Sequence, residues 1–491
     1  MNILIIQQRN WAIKFGTFLS DKLKDKGHNI GCISVKKSTH NYLLNIGYTK
    51  NIWSHDEVID DPKKYISKCN FSLDEISDYL NINSVWELIQ SQRNLVKDYN
   101  KKYYYSFKQS VTDQYIEDYI KSCFGMINEI FETFKPDIVI SPVLNSFLHA
   151  MLNLYCEKNN TPIFGTTDSK VDDINIFTNS YLDNKGPFIE YLNQIREGNI
   201  KINYDDLREE KKFVKNKILE LKSINKIDIS QKITFNYLLN QIKMLIRSFK
   251  FKKNILGSTQ DLSNPIIFFR DFFLKHYYSY KSKSFLYDNL DELNNFAFMP
   301  LLLQPEENID LVSTRFNNQI ETARLIAMSL PADMQLVIKD HPYMIEKRPT
   351  SYLEKIKHLP NVKIINSSIP NWKIFEKAKI VIATSGTSVF EASILDVPII
   401  QLGNLGTIRM LPNVYHHNDI KNIKEKIKNV LKNQIDREGN YKKMLEYVHA
   451  AFVKGQKYNL WDDQIMKNIS LKESLFNNYC KEIERLTKYK V

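Results

Sequence analysis

Three short stretches of this chain carry residue types suited to binding a phosphorylated ligand. They are Gln304-Pro305-Glu306, Lys339-Asp340-His341-Pro342, and Thr384-Ser385-Gly386-Thr387-Ser388 with Glu391 behind it. Each follows an apolar run of strand character: FAFMPLLL, MQLVI and KIVIA. The third is the most explicit, because its hydroxyls crowd around a glycine where a strand passes into a helix. The first turn of a helix leaves backbone N–H groups without intrahelical partners and carries partial positive charge, so a phosphate is a natural guest. Gly386 permits close backbone approach, and Ser385, Thr387 and Ser388 add donors. Glu391 lies one helical turn after Thr387 and Ser388 and falls on their face, placed to meet ribose hydroxyls. Ser and Thr also cap helices with no ligand present, so these residues alone leave both roles open.

His341 stands where a buried strand ends, and the proline after it holds it extended. Imidazole there can donate to a phosphate or protonate a leaving group, and Lys339 adds a cation. A lone His is also a common structural residue. Glu306 reads either as a donor-orienting or basic carboxylate or as an acid at a helix start. Nearer the N-terminus, Asp168, Asp172 and Asp173 follow another strand-like run; they are base candidates or ordinary loop aspartates. Arg9 and Lys14, after the first strand, are candidates to meet an acidic acceptor. No Asp-x-Asp occurs, which fits a metal-independent reaction with no cofactor.

The elements that must position these groups recur in a strand–helix rhythm. NILII, HNIGCISV, KPDIVISP and TPIFGTT read as buried parallel strands separated by helices, giving a Rossmann-like domain over 1–185. The QQRNWAIKFG stretch between the first strand and the TFLSDKLKDKG helix reads as a loop. The rhythm lapses over 186–289, which is helical, basic and aromatic, and returns over 290–434 as a second Rossmann-like domain. Helices follow over 435–491. The expected fold class is therefore α/β, two Rossmann-like domains facing across a cleft, with a basic helical insertion. Ligands of open parallel sheets bind beyond the carboxyl ends of the strands, where all three stretches lie.

Composition sets the outer limits. At 491 residues the chain is too long for one core, and 43% apolar residues suit a globular protein. The net charge of +12 is concentrated: residues 211–253 hold twelve Lys or Arg against two acids. Such a run suits an anionic membrane surface or an acidic polymer, or simply a solvated helix face; no nucleic-acid motif accompanies it. The five cysteines show no zinc or redox spacing. Neither a secretory leader nor a membrane span is expected, so the expected location is the cytoplasm, at most peripheral to the inner membrane face.

In this order and spacing, PLLLQPEENID, VIKDHP and TSGTSVFEASILDVPIIQLGN resemble the capsule polysaccharide biosynthesis family, which includes the Kdo transferases of capsule assembly. The His-Pro and Ser/Thr pairs also look like those of sialyltransferases that use CMP-sugars. The resemblance covers about 296–412. It implies a GT-B glycosyltransferase with a nucleotide-activated donor, a CMP-linked acidic sugar, and a glycan or lipid-linked glycan acceptor. His341 and residues 385–388 would bind the donor phosphate, with Gln304 and Lys339 beside them, and Glu391 the ribose. One departure is plain: the family's histidine in the first segment is Leu302 here. Two other readings stay open, a CDP-glycerol-type glycerophosphotransferase and a catalytically silent assembly protein.

Overall fold

The computed structural model describes residues 1–97, 109–228, 234–249, 265–457 and 468–488. Two open sheets organise them. In the first, β1 (Asn2–Gln7), β2 (Asn29–Ser34), β3 (Asn51–Ser54), β4 (Ile138–Ile140) and β5 (Ile163–Asp168) are mutually parallel. The antiparallel β6 (Ile174–Thr178) pairs with β5. The second sheet holds β7 (Phe296–Pro300), β8 (Gln335–Lys339), β9 (Val362–Ile365), β10 (Ile380–Ala383), β11 (Ile399–Gln401) and β12 (Val414–His416), all parallel. The strand order is β12-β11-β10-β7-β8-β9 in the second and β6-β5-β4-β1-β2-β3 in the first, so the two halves share one doubly wound topology. Helices cover both faces of such sheets, which is why strands such as NILII are apolar on both sides; Ile3, Leu4, Ile5 and Ile6 are fully buried.

Two elements late in the chain join the first domain. β13 (Gly455–Lys457) pairs antiparallel with β6 and becomes the sheet's edge. The Ile469–Thr487 helix lays Leu475, Phe476, Tyr479 and Ile483 over one face of that sheet, against Ile5, Phe15 and Phe164. Between them in role, the Arg437–Lys454 helix packs on the Pro187–Arg196 and Arg208–Ser223 helices. Its Met444, Leu445, Tyr447 and Val448 belong to a buried cluster that runs unbroken from Leu4 in one domain to Phe298 and Val389 in the other.

The domains are also tied by polar contacts across their seam. Lys97 reaches Asp310 at 3.1 Å, Arg315 reaches Glu87 at 2.8 Å, and Gly406 N–H donates to the Leu182 carbonyl at 2.6 Å. Arg196 donates to the Met410 carbonyl at 2.7 Å.

The stretch expected as a loop after β1 is helical instead. Helical backbone runs from Arg9 through a π-helical Ala12–Gly16 into the Thr17–Asp25 helix. Burying Trp11, Ala12 and Phe15 on one face supplies the stabilisation that polar neighbours hid in the sequence. Lys14 is buried with them; the Arg9 side chain lies outside the described residues. The basic run 211–253 divides: part lies in the Arg208–Ser223 helix, part in the Phe235–Ser248 helix, and 229–233 and 250–253 fall outside the described residues. Among the described residues, no helix is long and apolar enough to cross a membrane.

Candidate functional site

In a doubly wound sheet, the crevice forms where neighbouring strands send their connections to opposite faces. In the second domain that point lies between β7 and β10. A cavity of about 500 Å³ opens beside it. Pro300 and Leu301 from the end of β7, Lys339 to Tyr343 from the end of β8, and Thr387, Ser388 and Glu391 after β10 all line it. Asn371 completes this side. Glu346 and Lys347 add to the wall beyond Tyr343, and the insertion contributes Ile227, Asp228 and Lys275. That insertion is anchored locally: Ile227 N–H donates to the Ser368 carbonyl at 2.9 Å and the Trp372 indole to the Ile224 carbonyl at 2.8 Å.

The turn from β10 into the Thr387–Ile394 helix is divided in two by its glycine. Gly386 has φ of +100°, a conformation other residues resist, and it lets the chain reverse direction between strand and helix. Before it, the Thr384 and Ser385 hydroxyls are buried, with no hydrogen-bond partner among the described residues. After it, Thr387 and Ser388 open the Thr387–Ile394 helix at the cavity wall. Ser385 and Gly386 therefore shape the turn, and Thr387 and Ser388 present it. Leu302 packs beneath Gly386: a Cβ on the glycine would lie 3.4 Å from its Cδ2.

His341 has an extended backbone, as the following proline requires. The Tyr343 N–H donates to its Nδ1 at 3.2 Å. A neutral ring that accepts at Nδ1 carries its proton on Nε2, leaving that nitrogen a donor. Burial, with Arg348, Lys339 and Lys347 nearby, pushes its pKa down to about 4. At neutral pH the ring is thus uncharged. It meets an anion as a hydrogen-bond donor, and the expected proton donation to a leaving group would first need a bound anion to raise that pKa.

Lys339 is also drawn down, to about 8, by burial, with Glu391 pulling the other way. Its ammonium donates to the Ile369 carbonyl at 2.9 Å and to Asn371 Oδ1. The Asn371 amide nitrogen donates to Glu391 at 2.7 Å and contacts the Ser388 hydroxyl at 3.4 Å. Burial raises the Glu391 carboxyl, while Asn371 and Lys339 oppose the rise. One asparagine thus links the strand-end lysine, the helix start and the acid one turn in. The sequence reading passed over Asn371, although its place after Pro370 at a helix start was a signal.

Beneath His341 lies an ion pair the sequence reading also missed. Arg348 binds the Asp340 carboxylate and donates to the Leu302 carbonyl at 3.1 Å, and its guanidinium stacks over Tyr352 at 4.6 Å. Asp340 in turn accepts from the His341 N–H at 2.8 Å. Both side chains are buried, and the pair fixes the loop that carries the imidazole.

The remaining expected site residues lie elsewhere. Gln304 is buried, with its amide donating to Asp310 at 2.9 Å and to the Asn317 carbonyl at 3.1 Å, and accepting from Gln319 at 3.3 Å. It is a structural residue that steadies Asp310, the partner of Lys97 across the seam. Glu306 is half-buried, and its backbone carbonyl accepts from Ile309 and Asp310 in the turn that follows; it does not line the cavity. Asp168 is exposed at the end of β5, paired with Lys170 at 2.8 Å, and is likewise absent from the cavity wall. The first-domain carboxylate held in an unusual state is instead Asp183, buried beside Thr167 and pushed up to about 6 by desolvation.

Two doubly wound domains closed by a shared seam, with a polar cavity at the switch point of the second, make this a GT-B architecture. No protein-family model and no curated protein sequence matches the chain. Solved structures align along most of its length at low similarity. UDP-GlcNAc 2-epimerase from Neisseria meningitidis, bound to UDP-GlcNAc, is 11% identical over 98% of this chain and 100% of its own, with a TM-score of 0.24. The Methanocaldococcus jannaschii UDP-GlcNAc 2-epimerase, in complex with UDP-GlcNAc and UDP, is 13% identical over 92% and 99%, at 0.28. The beta Kdo 2,7 transferase KpsC of Thermosulfurimonas dismutans is 11% identical over 72% and 88%, at 0.31. Similarity at this level assigns no activity, so the functional reading must rest on the cavity.

Proposed function

We propose that this chain is a glycosyltransferase that binds a nucleotide-activated sugar in the second-domain cavity. One observation carries the reading: a helix N-terminus, a neutral imidazole donor, a buried lysine and a carboxylate converge on one cavity at a strand switch point. The donor phosphate sits against Thr387 and Ser388, within reach of His341 and Lys339. The ribose hydroxyls meet Glu391, whose distance of one helical turn matches the span from phosphate to ribose. As the glycosidic C–O bond breaks, charge develops on the departing phosphate oxygen. Fixed donors aimed at that charge, in a site sheltered from water, lower the barrier.

The three motifs and their order support a CMP-linked acidic sugar as donor and a growing surface or capsular glycan as acceptor. Isothermal titration of the purified chain against CMP, CDP, UDP, GDP and ADP tests the first half. CMP is expected to bind, and to bind weakly or not at all to folded His341→Ala. Incubation with a CMP-linked acidic sugar and glycan oligomers, read by mass spectrometry, tests the second. Binding of no nucleotide by the folded protein would sink the proposal.

A further inference from the structure

Two helices of the insertion present apolar side chains to solvent in an ordered way. The Phe235–Ser248 helix exposes Phe235, Leu238, Leu239, Ile242 and Ile246, and Phe249 follows at its end. Helical spacing, with steps of three or four residues apart from the adjacent Leu238 and Leu239, gathers them on one stripe. The Pro265–Lys283 helix repeats the pattern with Ile266, Phe269, Phe273, Tyr277 and Tyr280. These are not grazing exposures: Phe235 is 74% and Phe273 67% accessible. The helices pack on each other through other faces, with the Tyr237 and His276 rings 6.3 Å apart and Lys275 over Tyr237 at 5.4 Å. The stripes are therefore left over after the pair has formed.

The charges beside the stripes are of one sign. Across 234–249 and 265–283 there are six Lys or Arg and a single acid, Asp271, which is already paired with Arg270. Lys243, Arg247, Lys281 and Lys283 are exposed. A folding core would not leave these aromatics in water, and a contiguous apolar surface of this kind marks an interaction site. Aromatic and aliphatic side chains on one face, cations flanking them and almost no acid are the requirements for a helix lying in the headgroup region of an anionic bilayer. The Arg208–Ser223 helix, which supplies much of the basic run, does not meet them: its Phe213, Val214 and Leu221 are buried against the domain.

We propose that the Phe235–Ser248 and Pro265–Lys283 helices dock this protein on an anionic lipid surface, with both stripes in the headgroup region and the flanking cations on the phosphates. The proposal is independent of the sugar-transfer reading and stands or falls without it. Cosedimentation of the full chain with vesicles of phosphatidylcholine, with and without phosphatidylglycerol, tests it. Binding is expected to the anionic vesicles, to weaken with added salt, and to be slight on phosphatidylcholine alone. Ile242→Glu with Phe273→Glu, both at exposed positions, is expected to lower partitioning at least tenfold while CMP titration and thermal midpoint stay at wild-type values. Lys243→Gln and Arg247→Gln are each expected to lower it about fivefold. Absence of binding to anionic vesicles overturns the proposal. So does equal binding by the double variant, or a wild-type dimer in solution that the double variant converts to monomer without any lipid binding, which would give the stripes to a second copy.

Discussion

Two groups of polar residues stand at strand ends of this protein, and they have opposite fates. Gln304 and Arg348 are buried and absent from the cavity wall, and the Gln304 amide and the Arg348 guanidinium bond neighbouring protein. His341, Lys339, Ser388 and Glu391 sit a few residues away along the same strand ends and line a cavity. The contrast shows that position at a carboxyl strand end is necessary for a ligand site and far from sufficient. What separates the groups is whether the side chain reaches the cavity wall, since Lys339 and Glu391 are hydrogen-bonded within the protein as well. Substitutions in the enclosed group should therefore lower stability and leave ligand affinity alone, and those in the cavity group should do the reverse.

The largest effect is expected at Arg348. Arg348→Ala leaves the buried Asp340 carboxylate without its cation, and breaking a buried pair in this way costs about 3–5 kcal/mol. Urea unfolding measures it; a loss below about 1 kcal/mol would show that Asp340 finds water or simply takes up a proton. Next comes Lys339→Met, which keeps the side chain's bulk. Nucleotide affinity is expected to drop about tenfold or more, the scale of one charged hydrogen bond, with stability kept. Its pH dependence sharpens the test. With the pKa drawn down to about 8, Lys339 is charged below that pH and neutral above it. Wild-type affinity for a phosphate ligand should therefore fall as pH rises through about 8, and the Met variant should lose that step. Titration calorimetry across this range reads both.

Gln304→Ala comes third, with a stability loss of about 1–3 kcal/mol from the hydrogen bonds left unmade and no change in nucleotide affinity. A weakened affinity at unchanged stability would break the comparison, since Gln304 would then belong with the cavity group. The smallest effect is expected for Asp168→Asn, an exposed residue in a surface ion pair: about 0.5 kcal/mol or less in stability, and unaltered nucleotide binding.

Much of the fold could be read from the chain because parallel strands buried on both faces are continuous apolar runs, and IVIA or QLVIK mean little else. The cavity's strand-end members were legible for the same reason: His341, Lys339, Thr387, Ser388 and Glu391 follow directly on those runs. Three things were not. The helix at residues 9–16 hides its apolar face among polar neighbours, and only tertiary packing reveals it. β13 is the three-residue GQK, too short and polar to announce a strand, and its partner β6 is more than 270 positions away. Asn371 and Arg348 act through contacts with residues 8 to 46 positions distant, and local pattern carries no trace of such pairings. The burial of Gln304 was not legible either, because the gathering of Asp310, Asn317 and Gln319 around its amide is a tertiary event.

The late arrival of β13 and the Ile469–Thr487 helix sets a timetable for biosynthesis. Strands β1 to β6 leave the ribosome before the second domain, yet their sheet lacks its edge strand and one of its covering helices until the second domain has been made. Domains ordinarily fold as they emerge, beginning from the N-terminus. Here Phe15, Phe164 and Phe177 must wait for Tyr479, whose ring lies within 5.1–5.6 Å of all three. A nascent chain halted anywhere in the second domain carries that aromatic surface uncovered, so translation speed and chaperone supply bear on the yield of this protein more than on its final stability.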